Sequence, residues 1–301
     1  MERKYFDFED FDPIWHLCTP GESMSVIFRD RDDYVFGMNL IALSAAELVG
    51  ELNILTFQIM SNHLHFVLVC KDNVLNKFFF LLKKRLQRYM SNTGNVVNLN
   101  DFIPNVFRIN DIRYLQTVIA YVNRNGYLVD NSSTPFTYEW GANRYFFNNF
   151  TRNELSVKIS DISVDNKRRM FKSRNFCIPD NYQVTNGYVI PFSYCNISLA
   201  ESFFKDANQY FHLCSRQVET YSIIAKELGD RVIYTDEEIF SAVLSICLKR
   251  YNVKNPVLLN KDAKIDLAKI MHYDYNASNK QIKRIIRIDE GILESLFPVR
   301  R

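Results

Sequence analysis

The sequence predicts an α+β protein with a separate helical C-terminal part, and three observations predict it. Up to about residue 125 the apolar spacing switches between the strand and helix periods in the order strand, helix, strand, strand, helix, strand, helix. Only Ser61-Asn62 separates the two middle strands, which is short enough for a hairpin. From Ile197 onward the spacing is helical throughout. The first half therefore has the split βαβ pattern of a ferredoxin-like sheet with one added helix.

Taken in order, Ile14 to Thr19 is short, apolar and aromatic, and Pro20-Gly21 stops it as a strand. Asp32 to Val49 carries apolar residues at helical spacing, with Gly50 as its stop. Leu52 to Met60 and His63 to Cys70 are the hairpin strands. Val74 to Met90 is an amphipathic helix with a basic end at Lys83, Lys84, Arg85 and Arg88, closed by Gly94. Asn105 to Ile109 is a fourth strand. Asp111 caps a helix over Ile112 to Asn125, and Gly126 ends it. Asn131 to Pro191 is rich in turn residues and carries a basic run from Lys167 to Arg174, as an extended connector lying on other parts of the protein would. Asp236 to Tyr251 is an amphipathic helix with an acidic first turn and a basic last turn, matching the helix dipole. Three short helices follow at Ile265 to Met271, Ser278 to Arg287 and Glu290 to Phe297. The expected division is residues 1–150, a connector over 151–196, and a helical domain over 197–301.

Composition excludes more than it assigns. The chain has 301 residues, 47% of them hydrophobic, enough for one large core or two ordinary ones. Lys+Arg is 37 against Asp+Glu 34, so any basic surface must be local. Six cysteines without close pairing do not read as a disulfide framework or a zinc module. No apolar run approaches a membrane span, and Met1 to Asp12 lacks the core of a signal peptide. A cytoplasmic protein without a membrane partner is expected.

The chemistry concentrates in Ser61-Asn62-His63-Leu64-His65. On a strand, residues two apart share a face, so His63 and His65 project together as half of a metal site. Read alone, the pair fits a solvated sheet face equally well. On the helix from Ile112, Tyr121 and Asn125 stand at i and i+4 and share a face. Asn125 offers a carbonyl oxygen suited to Mg²⁺ or Mn²⁺. Tyr121 offers a phenol whose unperturbed pKa of about 10 demands activation before it attacks anything. If the helix crosses the sheet, His63, His65 and Asn125 hold one ion and leave positions for a phosphate.

Asn62-His63-Leu64-His65 followed by three apolar residues resembles the His-hydrophobic-His motif of the HUH single-tyrosine transposases, above all the REP-associated and insertion-sequence types. Tyr114-Leu115 through Ala120-Tyr121-Val122-Asn123-Arg124-Asn125 resembles that family's catalytic helix. Phe28 to Tyr34 and Tyr138-Glu139-Trp140 resemble two further family segments. The likeness covers about the first half of the chain. The chain departs from the family at Gly126, at Glu139 and at Gly141-Ala142, none of them a proposed catalytic group. The resemblance implies metal-dependent cleavage and rejoining of single-stranded or hairpin DNA through a 5′-phosphotyrosine on Tyr121, by monomers or homodimers.

Other residues compete with this reading. His16 can share the sheet face of the His pair and is read as structural or DNA-touching, not as a ligand. Tyr89 is a rival nucleophile without an amide at i+4. Lys83, Lys84, Arg85 and Arg88 either grip phosphate or form a solvated helix end. The C-terminal helices resemble a helix-turn-helix in which Lys280, Lys283, Arg284 and Arg287 face duplex phosphates, the alternative being an ordinary helical bundle. Two rival functions are a domesticated DNA-binding regulator that no longer cuts and an RNA-binding sheet.

Overall fold

The structure is a computed structural model that describes residues 11–20, 26–93, 97, 99–100, 102–129, 137–153, 155–174, 176–214, 236–275 and 277–298. The expected stops at Gly21 and Gly94 and the acidic side chains at 236–238 lie outside what is described. The chain forms two compact units, Met1–Cys214 and Ser215–Arg301. The division thus falls later than residue 196, because the segment up to Cys214 packs into the first unit.

That unit opens with β1 (Ile14–Cys18), α1 (Arg31–Ala46), β2 (Asn53–Ile59), β3 (Leu64–Val69), α2 (Asp72–Thr93), β4 (Asn105–Ile109) and α3 (Ile112–Val129). The sheet order is β2-β3-β1-β4, with every neighbouring pair antiparallel. Because β1 and β2 are each antiparallel to β3, they run parallel to one another with β3 between them. Asp30 caps α1 by accepting from Asp33 N, and Gly50 turns the chain after it at φ +87°. Asp111 caps α3 by accepting from Tyr114 N at 2.9 Å.

Two helix ends differ from expectation. Gly126 does not end α3, which continues to Val129. A glycine inside a helix costs only about 1 kcal/mol relative to alanine, so it stops a helix only where the chain needs a left-handed residue. Likewise α2 runs to Thr93, so Lys83, Lys84, Arg85 and Arg88 lie in its second half and its last turn has no basic residue.

Alternation sorts the sheet into two faces. Phe66 meets Phe78 of α2 with ring centroids 5.3 Å apart, so that face lies under α1 and α2. The opposite face carries His16, Thr56, Gln58 and His65, all wholly buried, and α3 covers it. The outer edge of β2 is closed by distant chain. Ile59 N donates to Trp140 O at 2.8 Å, Ala142 N to Phe57 O at 3.1 Å, and Asn196 N to Ile54 O at 2.8 Å.

The stretch expected as a plain connector has its own elements. α4 (Asn149–Arg152), β5 (Val157–Lys158), α5 (Val164–Phe171), β6 (Gln183–Thr185) and β7 (Tyr188–Val189) precede α6 (Ile197–Ser202) and α7 (Ala207–Cys214). β5, β6 and β7 form a small sheet. It docks on α1 through Asn39, which is buried, donates to Gly187 O at 3.0 Å and accepts from Val189 N at 2.9 Å. α7 packs on α3, where Tyr210 stacks on Phe146 at 5.2 Å.

In the second unit, α8 (Asp236–Ile246) runs into a π-helical turn over Cys247–Tyr251, followed by α9 (Lys261–Tyr273), α10 (Asn279–Ile286) and α11 (Glu290–Leu296). Asn260 caps α9, and Ser278 with Gln281 forms a capping box on α10. Asp289 caps α11. Ile239, Val243, Leu267, Met271, Ile282, Ile286 and Leu293 are its core. Arg287 turns the chain between α10 and α11 at φ 49°. Among the described residues, no helix is long and apolar enough to cross a membrane.

Candidate functional site

Between the sheet and α3 lies a polar layer sealed from solvent. Thr56 and Asn123 are hydrogen-bonded through their side chains. Gln58 Nε2 donates to Asn123 O at 3.1 Å, and Asn123 Nδ2 donates to Tyr210 OH at 2.9 Å. Buried polar groups cost free energy unless bonded, so these bonds favour one rotation of α3 against the sheet.

Tyr121 projects from α3 into that layer and is fully buried. Its ring stands edge-on to His65 at 5.8 Å and to His16 at 6.4 Å. Two residues expected to share a site, Tyr121 and His65, are therefore brought together. His63 departs from the simple strand argument. β3 begins at Leu64, so His63 belongs to the preceding turn, where its Nδ1 lies 2.7 Å from Asn62 Oδ1. It is half-buried while His65 is wholly buried, and the two rings are 5.0 Å apart. Asn125 is buried one turn beyond Tyr121.

The donors that do converge on His65 come from β1. Cys18 pairs directly with His65 across the β1–β3 register, and His16 stands two residues earlier on the same face. His16 Nε2 is 3.3 Å from His65 Nδ1, and the rings are nearly parallel at 5.6 Å. Ligand atoms of His16, Cys18 and His65 all lie within 4.8 Å of one another, and all three residues are buried. This group can hold a metal ion. Its backbone is pinned where β1 leaves the sheet, Thr19 N donating to Leu64 O at 3.0 Å and Leu64 N to Thr19 Oγ1 at 2.9 Å. Sequence reasoning passed over Cys18 and set His16 aside. The same two-residue spacing that marks 63 and 65 also occurs at 16 and 18, but the register joining the strands is not visible in sequence.

Burial raises the Cys214 thiol to about 12, against the opposing hydrogen bond of Tyr210 and the charge of the buried Arg124. At the start of α1, burial alone would raise the Asp33 carboxyl. Hydrogen bonds from the Arg29 guanidinium, Arg29 N and the Tyr89 hydroxyl outweigh it and hold the carboxyl below its ordinary range. The Tyr89–Asp33 bond is 2.8 Å, and it raises Tyr89 further than burial does alone. Tyr89 therefore has a structural task on the far side of the sheet from Tyr121.

The basic residues of α2 also lie on that far side. Lys83 Nζ donates to Phe102 O at 2.9 Å, and Arg85 pairs with Glu47. Lys84, Arg85 and Arg88 line a cavity of about 310 Å³ with Phe36, Leu40 and Phe171. In the second unit, Lys280, Lys283, Arg284 and Arg287 are all exposed, and Lys283 is paired with Glu290.

The two further segments that carried the family likeness meet in space. Tyr34 stacks on Trp140 at 5.0 Å, Arg31 lies over the same ring at 5.1 Å, and Arg31 Nη1 is 2.6 Å from Glu139 Oε2. Tyr138 OH donates to Ile59 O at 2.7 Å, tying the group to the end of β2. No family model matches the chain, and no curated protein or solved structure matches it significantly.

Proposed function

We propose that this chain is a metal-dependent DNA strand transferase or nickase of the HUH single-tyrosine type, acting on single-stranded or hairpin DNA from a ferredoxin-like sheet. The observation that carries the reading is the contact of Tyr121 with His65, ring to ring at 5.8 Å, between two motifs assigned to one centre from sequence. The strand order β2-β3-β1-β4 and the packing of Tyr34 on Trp140 support it.

In the reaction, the Tyr121 phenolic oxygen attacks a backbone phosphorus. The tyrosine O–P bond forms, the P–O3′ bond breaks, the phenol gives up its proton and the leaving 3′ oxygen gains one. The reverse reaction rejoins the strand without ATP, since the phosphotyrosine keeps the energy of the broken phosphodiester. A divalent ion at the histidines, expected from the motif to be Mg²⁺ or Mn²⁺ with Asn125, would supply Lewis-acid polarisation of the phosphate. His65 and His16 flank the tyrosine ring and hold its orientation.

A second reading has one specific observation in its favour. Tyr121 and His65 are both 0% exposed, so no DNA reaches them until the covering chain moves. That burial suits a domesticated DNA-binding regulator that keeps the fold without cutting. Both readings are separated by incubating the full chain with Mn²⁺ and labelled hairpin DNAs on a denaturing gel. A protein–DNA adduct that is lost in Tyr121→Phe, with binding retained, is the expected result. Binding with no adduct under any divalent ion assigns the chain to the regulator, and an adduct that persists in Tyr121→Phe removes this tyrosine as nucleophile.

A further inference from the structure

We propose that His16, Cys18 and His65 form a zinc site. The inference uses no DNA contact, but it shares His65 with the DNA reading, and a zinc ion held there would stand in place of the Mg²⁺ or Mn²⁺ expected at that histidine. It rests first on convergence, because donors from two neighbouring strands, none more than 2% exposed, meet within 4.8 Å of one another. It rests next on spacing. Zinc binds imidazole nitrogen at about 2.0–2.1 Å, so two nitrogens at tetrahedral positions are separated by about 3.3–3.4 Å. His16 Nε2 and His65 Nδ1 already stand 3.3 Å apart.

The chemistry of the donors selects the metal. Mg²⁺ and Mn²⁺ prefer oxygen ligands in octahedral arrangement, whereas a thiolate with two imidazoles suits zinc. A hydrogen-bonded histidine pair would produce the same nitrogen separation, but it gives no role to Cys18, held opposite His65 by strand register. On binding, the Cys18 thiol loses its proton and the ion takes its place. Three protein ligands leave a fourth tetrahedral position, as in zinc sites that bind an exchangeable ligand.

The test uses the full-length chain and no DNA. After loading with Zn²⁺ and removal of loosely held ion, elemental analysis should find about one zinc per chain. The Co²⁺-loaded chain should show the thiolate-to-metal charge-transfer band and intense visible bands of a tetrahedral site. Cys18→Ser should lose the charge-transfer band with an unchanged circular dichroism spectrum, and His16→Ala should lower the zinc content. His63→Ala should retain both signals. A folded wild-type chain that takes up no zinc in excess would falsify the proposal. So would a cobalt spectrum without a thiolate band, or binding abolished by His63→Ala and kept by Cys18→Ser. Because these readouts involve no nucleic acid, their failure leaves the strand-transfer reading to the adduct gel.

Discussion

Gly141 lies where a distant loop presses close against the sheet. A Cβ there would lie 2.8 Å from Phe57 O and 2.9 Å from Gln58 Cγ, closer than carbon tolerates against backbone. The loop also forms a bridge between Gly141 and Gln58, so it cannot simply lift away. Gly141→Ala should therefore destabilise the chain by about 1–3 kcal/mol, read as a lower urea midpoint at unchanged slope. Gln58 stands across from His65 in the β2–β3 register, so the same substitution should also perturb cobalt absorption at the proposed zinc site. Sequence marked candidate residue types and stopped there. His65 and Tyr121 were legible because each sits in a local pattern of spacing. The partnership of Cys18 with His65 was not, because it depends on which residues two strands place opposite each other.

At the scale of elements, the strands and helices of the first half were legible from period and punctuation: apolar spacing in β1 to β3, a glycine after α1 and an aspartate before α3. What escaped was the burial of element ends. Asp33, in the first turn of α1, is 2% exposed and accepts from both Arg29 and Tyr89. Its carboxyl is held below the ordinary range in the folded chain. The sign follows from linkage: the unfolded chain takes up the proton at higher pH than the folded one. The stabilisation is complete above the unfolded carboxylate value of about 3.9 and is lost as pH falls through the lower folded value. Glu139, lowered by Arg31 against burial, acts in the same direction. Thermal melts should show Asp33→Asn flattening the acid-side loss of stability relative to wild type. Tyr89→Phe should cost about 1–2 kcal/mol at neutral pH.

At the scale of the molecule, each of the two units carries a cluster of basic residues. The basic residues of α2 are partly spent on Phe102 O and Glu47 within the first unit, and Lys280, Lys283, Arg284 and Arg287 of the second unit are exposed. The net charge of +3 is small enough that deleting two of these residues is a large relative change. If α10 and α11 approach duplex DNA, Lys280→Ala with Arg284→Ala should weaken binding about equally for all sequences. Each lost phosphate contact should reduce the slope of log affinity against log salt by about one. Lys283→Ala should do less, since Lys283 is paired with Glu290. Fluorescence anisotropy across a salt series distinguishes these outcomes, and an unchanged slope would mark the second unit as a bundle with another task. The short helices at the end were legible from their spacing, although the first of them begins at Lys261, ahead of the Ile265 expected. The boundary at Cys214 was not, because α6 and α7 have the same helical period as the second unit while packing on the first.

The closure of β2 by later chain also has a consequence in time. Asn53 and Asn196 are hydrogen-bonded partners 143 residues apart. While the protein is being synthesised, the hairpin of β2 and β3 emerges long before the segments that cover its edge. A strand with unpaired backbone groups is an adhesive surface for other nascent chains. Slower translation of the stretch between them lengthens that interval, so yield of soluble protein should depend on growth temperature and on chaperone supply more than the stability of the finished fold would indicate.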